Sequence, residues 1–135
     1  DYWQGVKPLS YAQHGLKKGG TVILLVSFPD GVSPTHFVEF EKYGSRSYGK
    51  IKRLIEENRF DDLVCASTLL QHALITNRSK VICVSEGLPI EQKEKLGLKH
   101  ADSVEEALEI ALTKCGEKAK IGIIDYGGDV LPRLI

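Results

Sequence analysis

Thr21-Val-Ile-Leu-Leu-Val-Ser-Phe28 is a short, unbroken apolar run, rich in β-branched residues and entered from Gly19-Gly20. Two further runs share its character, Lys80-Val-Ile-Cys-Val-Ser85 and Lys120-Ile-Gly-Ile-Ile-Asp125. A strand that is apolar on both faces belongs between two helix layers, whereas a strand wetted on one side alternates. The three runs therefore predict buried strands of a parallel sheet, with Gly19-Gly20 as a tight turn into the first.

Between the runs the period becomes helical. Ser103-Val-Glu-Glu106 has the spacing of a capping box and opens a segment whose Val104, Ala107, Leu108, Ala111, Leu112 and Cys115 fall on one stripe. Gly116 stands where a C-terminal cap belongs. A second helix starts from Asp61 or Asp62, shows Leu63, Ala66, Leu70, Ala73 and Leu74 on its apolar face, and ends near Asn77. Shorter helices are expected over Tyr48–Glu57, with Ile51, Leu54 and Ile55 inward, and over Ile90–Leu96, stopped by Gly97. Leu98 to Asp102 supplies a brief strand before the capping box. Phe28 to Ser47, rich in Pro, Gly and Ser, reads as the longest irregular stretch. Strands alternating with helices predict an α/β fold: an open, mainly parallel sheet flanked by helices, a Rossmann-like three-layer sandwich with right-handed crossovers.

A chain of 135 residues is the size of one domain, and nothing divides it, so residues 1–135 are read as a single α/β domain. Eighteen basic residues balance eighteen acidic ones, without long runs of either sign. No nucleic acid or anionic membrane is expected as a partner. Cys65, Cys83 and Cys115 are odd in number and lie in apolar periodic segments, so they are expected as reduced, buried thiols in a reducing, cytoplasmic compartment. No apolar run approaches the roughly 20 residues that cross a bilayer. The chain starts at Asp1 and contains no methionine, which marks it as an expected fragment of a longer protein.

Ligands of open parallel sheets collect beyond the carboxyl ends of the strands. That edge would carry Ser27-Phe28-Pro29-Asp30-Gly31, Ser85-Glu86-Gly87 and Asp125-Tyr126-Gly127-Gly128-Asp129, all of which also serve simply to reverse the chain. Asp125 and Asp129 are a weak carboxylate pair. The dinucleotide fingerprint and the phosphate-binding loop are both missing, so no nucleotide-binding site is expected. His14, His36, His72 and His100 show no metal-ligand spacing and no Cys-x-x-Cys occurs, so no metal and no bound cofactor are expected within this chain. His72 and His100 read as structural or surface histidines. No nucleophile elbow is present.

The first residues, Tyr2-Trp-Gln-Gly-Val-Lys-Pro8-Leu-Ser-Tyr-Ala12, carry more information. Trp3, Val6 and Leu9 recur every third residue and predict one helical face, with Gln4 and Lys7 on another. An amide and an ammonium three apart stand one above the other, where together they can hold a small carboxylate or hydroxyl oxygen. Pro8 lacks an amide and is expected to break the helix at Lys7.

The order of these features, an aromatic-Gln-x-x-Lys opening, then Gly-Gly-Thr-Val-Ile-Leu, then Pro29-Asp30-Gly31, then Gly127-Gly128-x-x-Leu131-Pro132, resembles the carboxy-terminal domain of the nickel-pincer lactate racemase family over essentially the whole chain. The resemblance implies that Gln4 and Lys7 contact substrate. It also implies that Trp3 forms an aromatic wall where the family usually has a tyrosine. In that family a 2-hydroxy acid is isomerised by hydride transfer to a nickel-pincer cofactor, with the cofactor ligands and catalytic histidines in an amino-terminal domain. It follows that this chain holds no catalytic residue of its own, completes an interdomain cleft with that domain, and is inactive alone. The family's aromatic or histidine on the helix after Asp61 has no secure counterpart, since Phe60 and His72 both lie off its place. The competing reading is a noncatalytic α/β binding module for a small anion or a protein partner.

Overall fold

A computed structural model describes residues 1–133. The strands are β1 (Thr21–Leu25), β2 (Lys80–Val84) and β3 (Lys99–His100), joined in the order β1-β2-β3 with both pairings parallel. Six α-helices surround them among the described residues: α1 (Tyr2–Ala12), α2 (Phe37–Tyr43), α3 (Tyr48–Glu56), α4 (Leu63–Arg78), α5 (Ile90–Lys95) and α6 (Val104–Cys115). The open parallel α/β sheet is the architecture that the apolar runs predict.

The side-chain period of two explains why the runs are apolar on both faces. Val22, Leu24, Val81 and Cys83 point into the larger core, with Tyr2, Val6 and Leu9 of α1 and Cys65, Leu69 and Ala73 of α4. Ile23, Ile82 and Val84 point the other way, into a smaller cluster with Ala101, Ala107, Ile110 and Ala111. Only α6 covers that second face among the described residues, and it does so incompletely. Of its predicted stripe Ala107 alone is buried, while Val104 and Cys115 are exposed. The expectation of three buried thiols holds for Cys65 and Cys83 and fails for Cys115, which touches Thr21 Oγ1 at 3.5 Å from the surface.

Helix ends follow their sequence signals. Asp62 caps α4, its Oδ1 accepting from the amides of Val64 and Cys65 at 2.8 and 3.0 Å. Ser103 Oγ accepts from the Glu106 amide, and Glu106 reaches back to the Asp102 amide at 2.7 Å. The apolar face of α4 is rotated from the predicted one: Cys65, Ala66, Leu69, His72 and Ala73 are buried, and Leu63 is exposed.

Three expectations need correction. Lys120–Asp125 forms no strand: it pairs with no strand and is exposed, because β propensity supplies no partner edge. The stretch from Phe28 to Ser47 is not wholly irregular, since it contains α2, whose Phe40 is fully buried. Finally, α1 runs unbroken through Pro8. The ring costs one hydrogen bond, that from residue 8 to the Gln4 carbonyl, and packing of Tyr2, Val6 and Leu9 holds the helix regardless.

Candidate functional site

The amino-terminal end of α1 is built into the loop after β1. Tyr2 and Trp3 amides donate to the carbonyls of Gly31 and Val32 at 2.8 and 2.9 Å, and Asp1 caps the helix by accepting from the Gln4 amide at 3.1 Å. These bonds use the amides that a helix start leaves unpaired. The Pro29-Asp30-Gly31 segment thus fixes the position of the aromatic-Gln-x-x-Lys turn.

Within that turn the buried face is Tyr2, Gly5, Val6 and Leu9. Trp3 is not on it, contrary to the three-residue spacing: 3.6 residues per turn place Tyr2 inward and leave Trp3 half-buried at the rim. Its indole stacks on His36 with ring centroids 4.2 Å apart and meets the edge of Phe40. Gln4 and Lys7 are both exposed. Because the helix is continuous, Gln4, Lys7 and Trp3 occupy adjacent positions of one surface patch, the first pair at i,i+3 and Trp3 with Lys7 at i,i+4. Lys7 meets no carboxylate among the described residues. The Gln4 carbonyl, deprived of the Pro8 amide, adds an acceptor beside them. Gly127 packs against Pro8, where an added Cβ would approach the Pro8 side chain to 3.1 Å, so the Gly127-Gly128 turn borders the same patch.

Tyr2 anchors the patch from below. Its hydroxyl bonds His72 Nδ1 at 3.0 Å, while His72 Nε2 faces the carbonyls of Gly44 and Leu96 at 2.8 and 3.0 Å. Two carbonyl acceptors require the proton on Nε2, so Nδ1 accepts from Tyr2. Burial pushes the His72 imidazole down to about 4, against the smaller upward pull of the two carbonyls, and pushes the Tyr2 phenol well up. His72 is a satisfied core histidine tying α1, α2, α4 and α5 together.

The strand ends are closed off rather than open. Gly87 donates to the Ser27 carbonyl at 2.8 Å, Ser85 Oγ donates to the same carbonyl at 3.0 Å, and Lys93 Nζ donates to the Ser85 carbonyl at 2.8 Å. An added Cβ at Gly87 would lie 1.9 Å from the Phe28 carbonyl oxygen, so only glycine allows this approach. Lys93 also meets His100 Nδ1 at 2.9 Å, and His100 Nε2 meets Asp102 Oδ1 at 2.9 Å. The sequence gives no sign of this buried lysine, because it lies on a short helix of otherwise polar character. Asp125 and Asp129 are exposed ends of a turn closed by the Asp129 amide on the Tyr126 carbonyl. Two hollows, one between α2 and α5 and one beneath the turn after α1, offer about 0 and 10 Å³ of room. The exposed side chains of Gln4 and Lys7 line neither hollow.

Another group of side chains was not foreseen together: one donor atom each of His36, Glu39 and Cys65 lies within 4.8 Å of the others. They come from the start of α2 and the first turn of α4, segments too far apart in sequence for a spacing rule to join them.

No curated protein matches the chain. Among solved structures, the lactate racemase apoprotein from Thermoanaerobacterium thermosaccharolyticum superposes with a TM-score of 0.84 at 24% identity over 99% of this chain, and the chain spans 32% of that protein's length. At that identity the likeness speaks for the fold. The sequence itself matches the lactate racemase C-terminal domain model over residues 1–131, from the Trp3-Gln4-Lys7 turn to the Gly127-Gly128 loop beside it, and the chain belongs to that family.

Proposed function

We propose that this chain is the substrate-orienting carboxy-terminal domain of a lactate racemase-like isomerase acting on 2-hydroxy acids. The observation that carries the reading is the exposed Gln4–Lys7 pair on an unbroken α1, which meets no carboxylate among the described residues and lies beside Trp3. Lys7 offers a charge-assisted bond to the substrate carboxylate, and Gln4 offers an amide that both donates and accepts. Held on a rigid helix, the two fix the orientation of the acid so that its α-hydrogen faces the remainder of the enzyme.

When bound, the nickel-pincer cofactor that the family uses would supply a hydride acceptor. The family resemblance assigns that group to the amino-terminal domain, and no step of its chemistry is assigned to residues here. The chain's own contribution is binding, orientation and compensation of charge at the substrate oxygens. The exposed apolar residues Leu25, Ile121, Ile123, Tyr126 and Leu131 support an extensive partner surface, in keeping with a two-domain enzyme of which residues 1–135 form the second part. A cytoplasmic setting accords with free thiols at Cys65, Cys83 and Cys115 and with the absence, among the described residues, of any helix long and apolar enough to cross a membrane.

The test is Lys7→Ala in the complete enzyme, assayed with lactate and longer 2-hydroxy acids. Turnover efficiency should fall roughly a hundredfold or more, with circular dichroism and melting temperature unchanged, because Lys7 is exposed. Unaltered kinetics would remove the substrate role from this face.

A further inference from the structure

We propose that His36, Glu39 and Cys65 form a binding site for a single zinc-type divalent cation, with Asp62 as the neighbouring carboxylate. Two i,i+3 pairs face each other across the junction of α2 and α4. His36 and Glu39 lie at the cap and first turn of α2, and Asp62 and Cys65 lie at the cap and first turn of α4. This spacing puts both members of each pair on one side of their helix. The set joins an imidazole nitrogen, a carboxylate and a thiol, the mixture that borderline cations such as zinc prefer.

The geometry is close to what an ion needs. Bonds of about 2.0–2.3 Å in a tetrahedral arrangement separate the ligand atoms by about 3.3–3.8 Å. The donors here already lie within 4.8 Å of one another, so a contraction of about an ångström completes the set. Glu39 is only half-buried, so its carboxylate has room to swing toward the other two donors. The His36 ring is held on two sides, by the Trp3 stack and by Asp62 Oδ2 at 3.7 Å from Nδ1. The other Asp62 oxygen is committed to the cap of α4.

The electrostatics point the same way. Cys65 is fully buried, with the Glu39 carboxylate within 4.8 Å of its sulfur and Asp62 capping the same turn through the Cys65 amide at 3.0 Å. Two carboxylates converging on a buried sulfur and an imidazole make a negative pocket that a cation neutralises. Its approach is through the His36 side, where the ring is 20% exposed. Because the chain has one tryptophan, and that tryptophan stacks on a proposed ligand, the site reports on itself and adjoins the aromatic wall of the α1 patch. The inference does not depend on the enzymatic reading.

The experiment uses the chelator-treated chain with zinc alone, then cobalt as a coloured substitute. One equivalent of zinc should remain after dialysis, quench or shift Trp3 emission, and raise the melting temperature. Cobalt should give a thiolate charge-transfer band that Cys65→Ser abolishes and Cys115→Ser preserves. Asp62→Asn, which retains the helix cap, should weaken zinc roughly 10–100-fold. Should Cys65→Ser unfold, the exposed-side variants His36→Asn and Glu39→Gln carry the same test through loss of the emission response. Substoichiometric zinc, a band that survives in Cys65→Ser, or one that vanishes in Cys115→Ser overturns the assignment.

Discussion

His72 shows what a single buried imidazole does for the stability of this domain. Its three partners come from α1, α2 and the end of α5, and its folded-state proton affinity is low because burial penalises the cation. Above the ordinary histidine value near 6.5 neither the folded nor the unfolded form is charged, and the residue adds no pH dependence. As pH falls from there towards 4 the unfolded chain takes up the proton first, so stability declines by roughly 3 kcal/mol through this one group and levels off below. Urea titrations from pH 7 to pH 4 should show that decline, and His72→Gln should flatten it. An equally steep acid limb in the variant would assign the loss to other groups. The chemistry of His72 was legible as structural from its lack of paired spacing, but its partners were not. Gly44, Leu96 and Tyr2 lie 28, 24 and 70 residues away, and no local pattern encodes such a meeting.

Elements with local signals were read well, and those that depend on neighbours were not. The Ser103–Glu106 box needs only its own four residues, and it forms as spaced. Ser103→Ala should therefore cost about 1 kcal/mol in chemical denaturation, although Ala107 is the single fully buried residue of α6. By contrast, α2 was hidden by flanking Pro34 and Gly44 and by having one fully buried residue, Phe40. Lys120–Asp125 has strand composition without a strand, since a ladder needs an edge as well as β-branched side chains. Pro8 misled for the converse reason: the tertiary packing of Tyr2, Val6 and Leu9 outweighs one missing amide. The Gln4 and Lys7 positions were legible because i,i+3 spacing survives that local defect. The His36–Glu39–Cys65 group was not, being assembled by the packing of two helices.

At the scale of the molecule the sheet is lopsided. One face lies under α1 and α4, and the other lies under α6 alone among the described residues, with Leu25 left 53% exposed; in the segment after α6, Ile123 and Tyr126 are 88% and 83% exposed. Such residues contribute little to folding of this domain. Ile123→Lys should change its unfolding free energy by no more than about 0.5 kcal/mol while reducing self-association in light scattering. A large loss of stability would show that the segment packs more intimately than its exposure indicates. The asymmetry was foreshadowed only in outline: the apolar runs specify a sandwiched sheet, and nothing in them says how much of the second slice this chain supplies.

The bond from Gly87 to Ser27, with the Ser85 hydroxyl on the same carbonyl, has a consequence for motion. Neither crossover loop can peel away without freeing the other, and the segment that follows Ser27 also receives the first amides of α1 through Gly31 and Val32. Deuterium uptake at the Gly87, Tyr2 and Trp3 amides should consequently rise in concert, at a rate set by one shared opening. If Gly87 exchanges far sooner than the other two, the rim behaves as a hinged flap instead of a single welded corner.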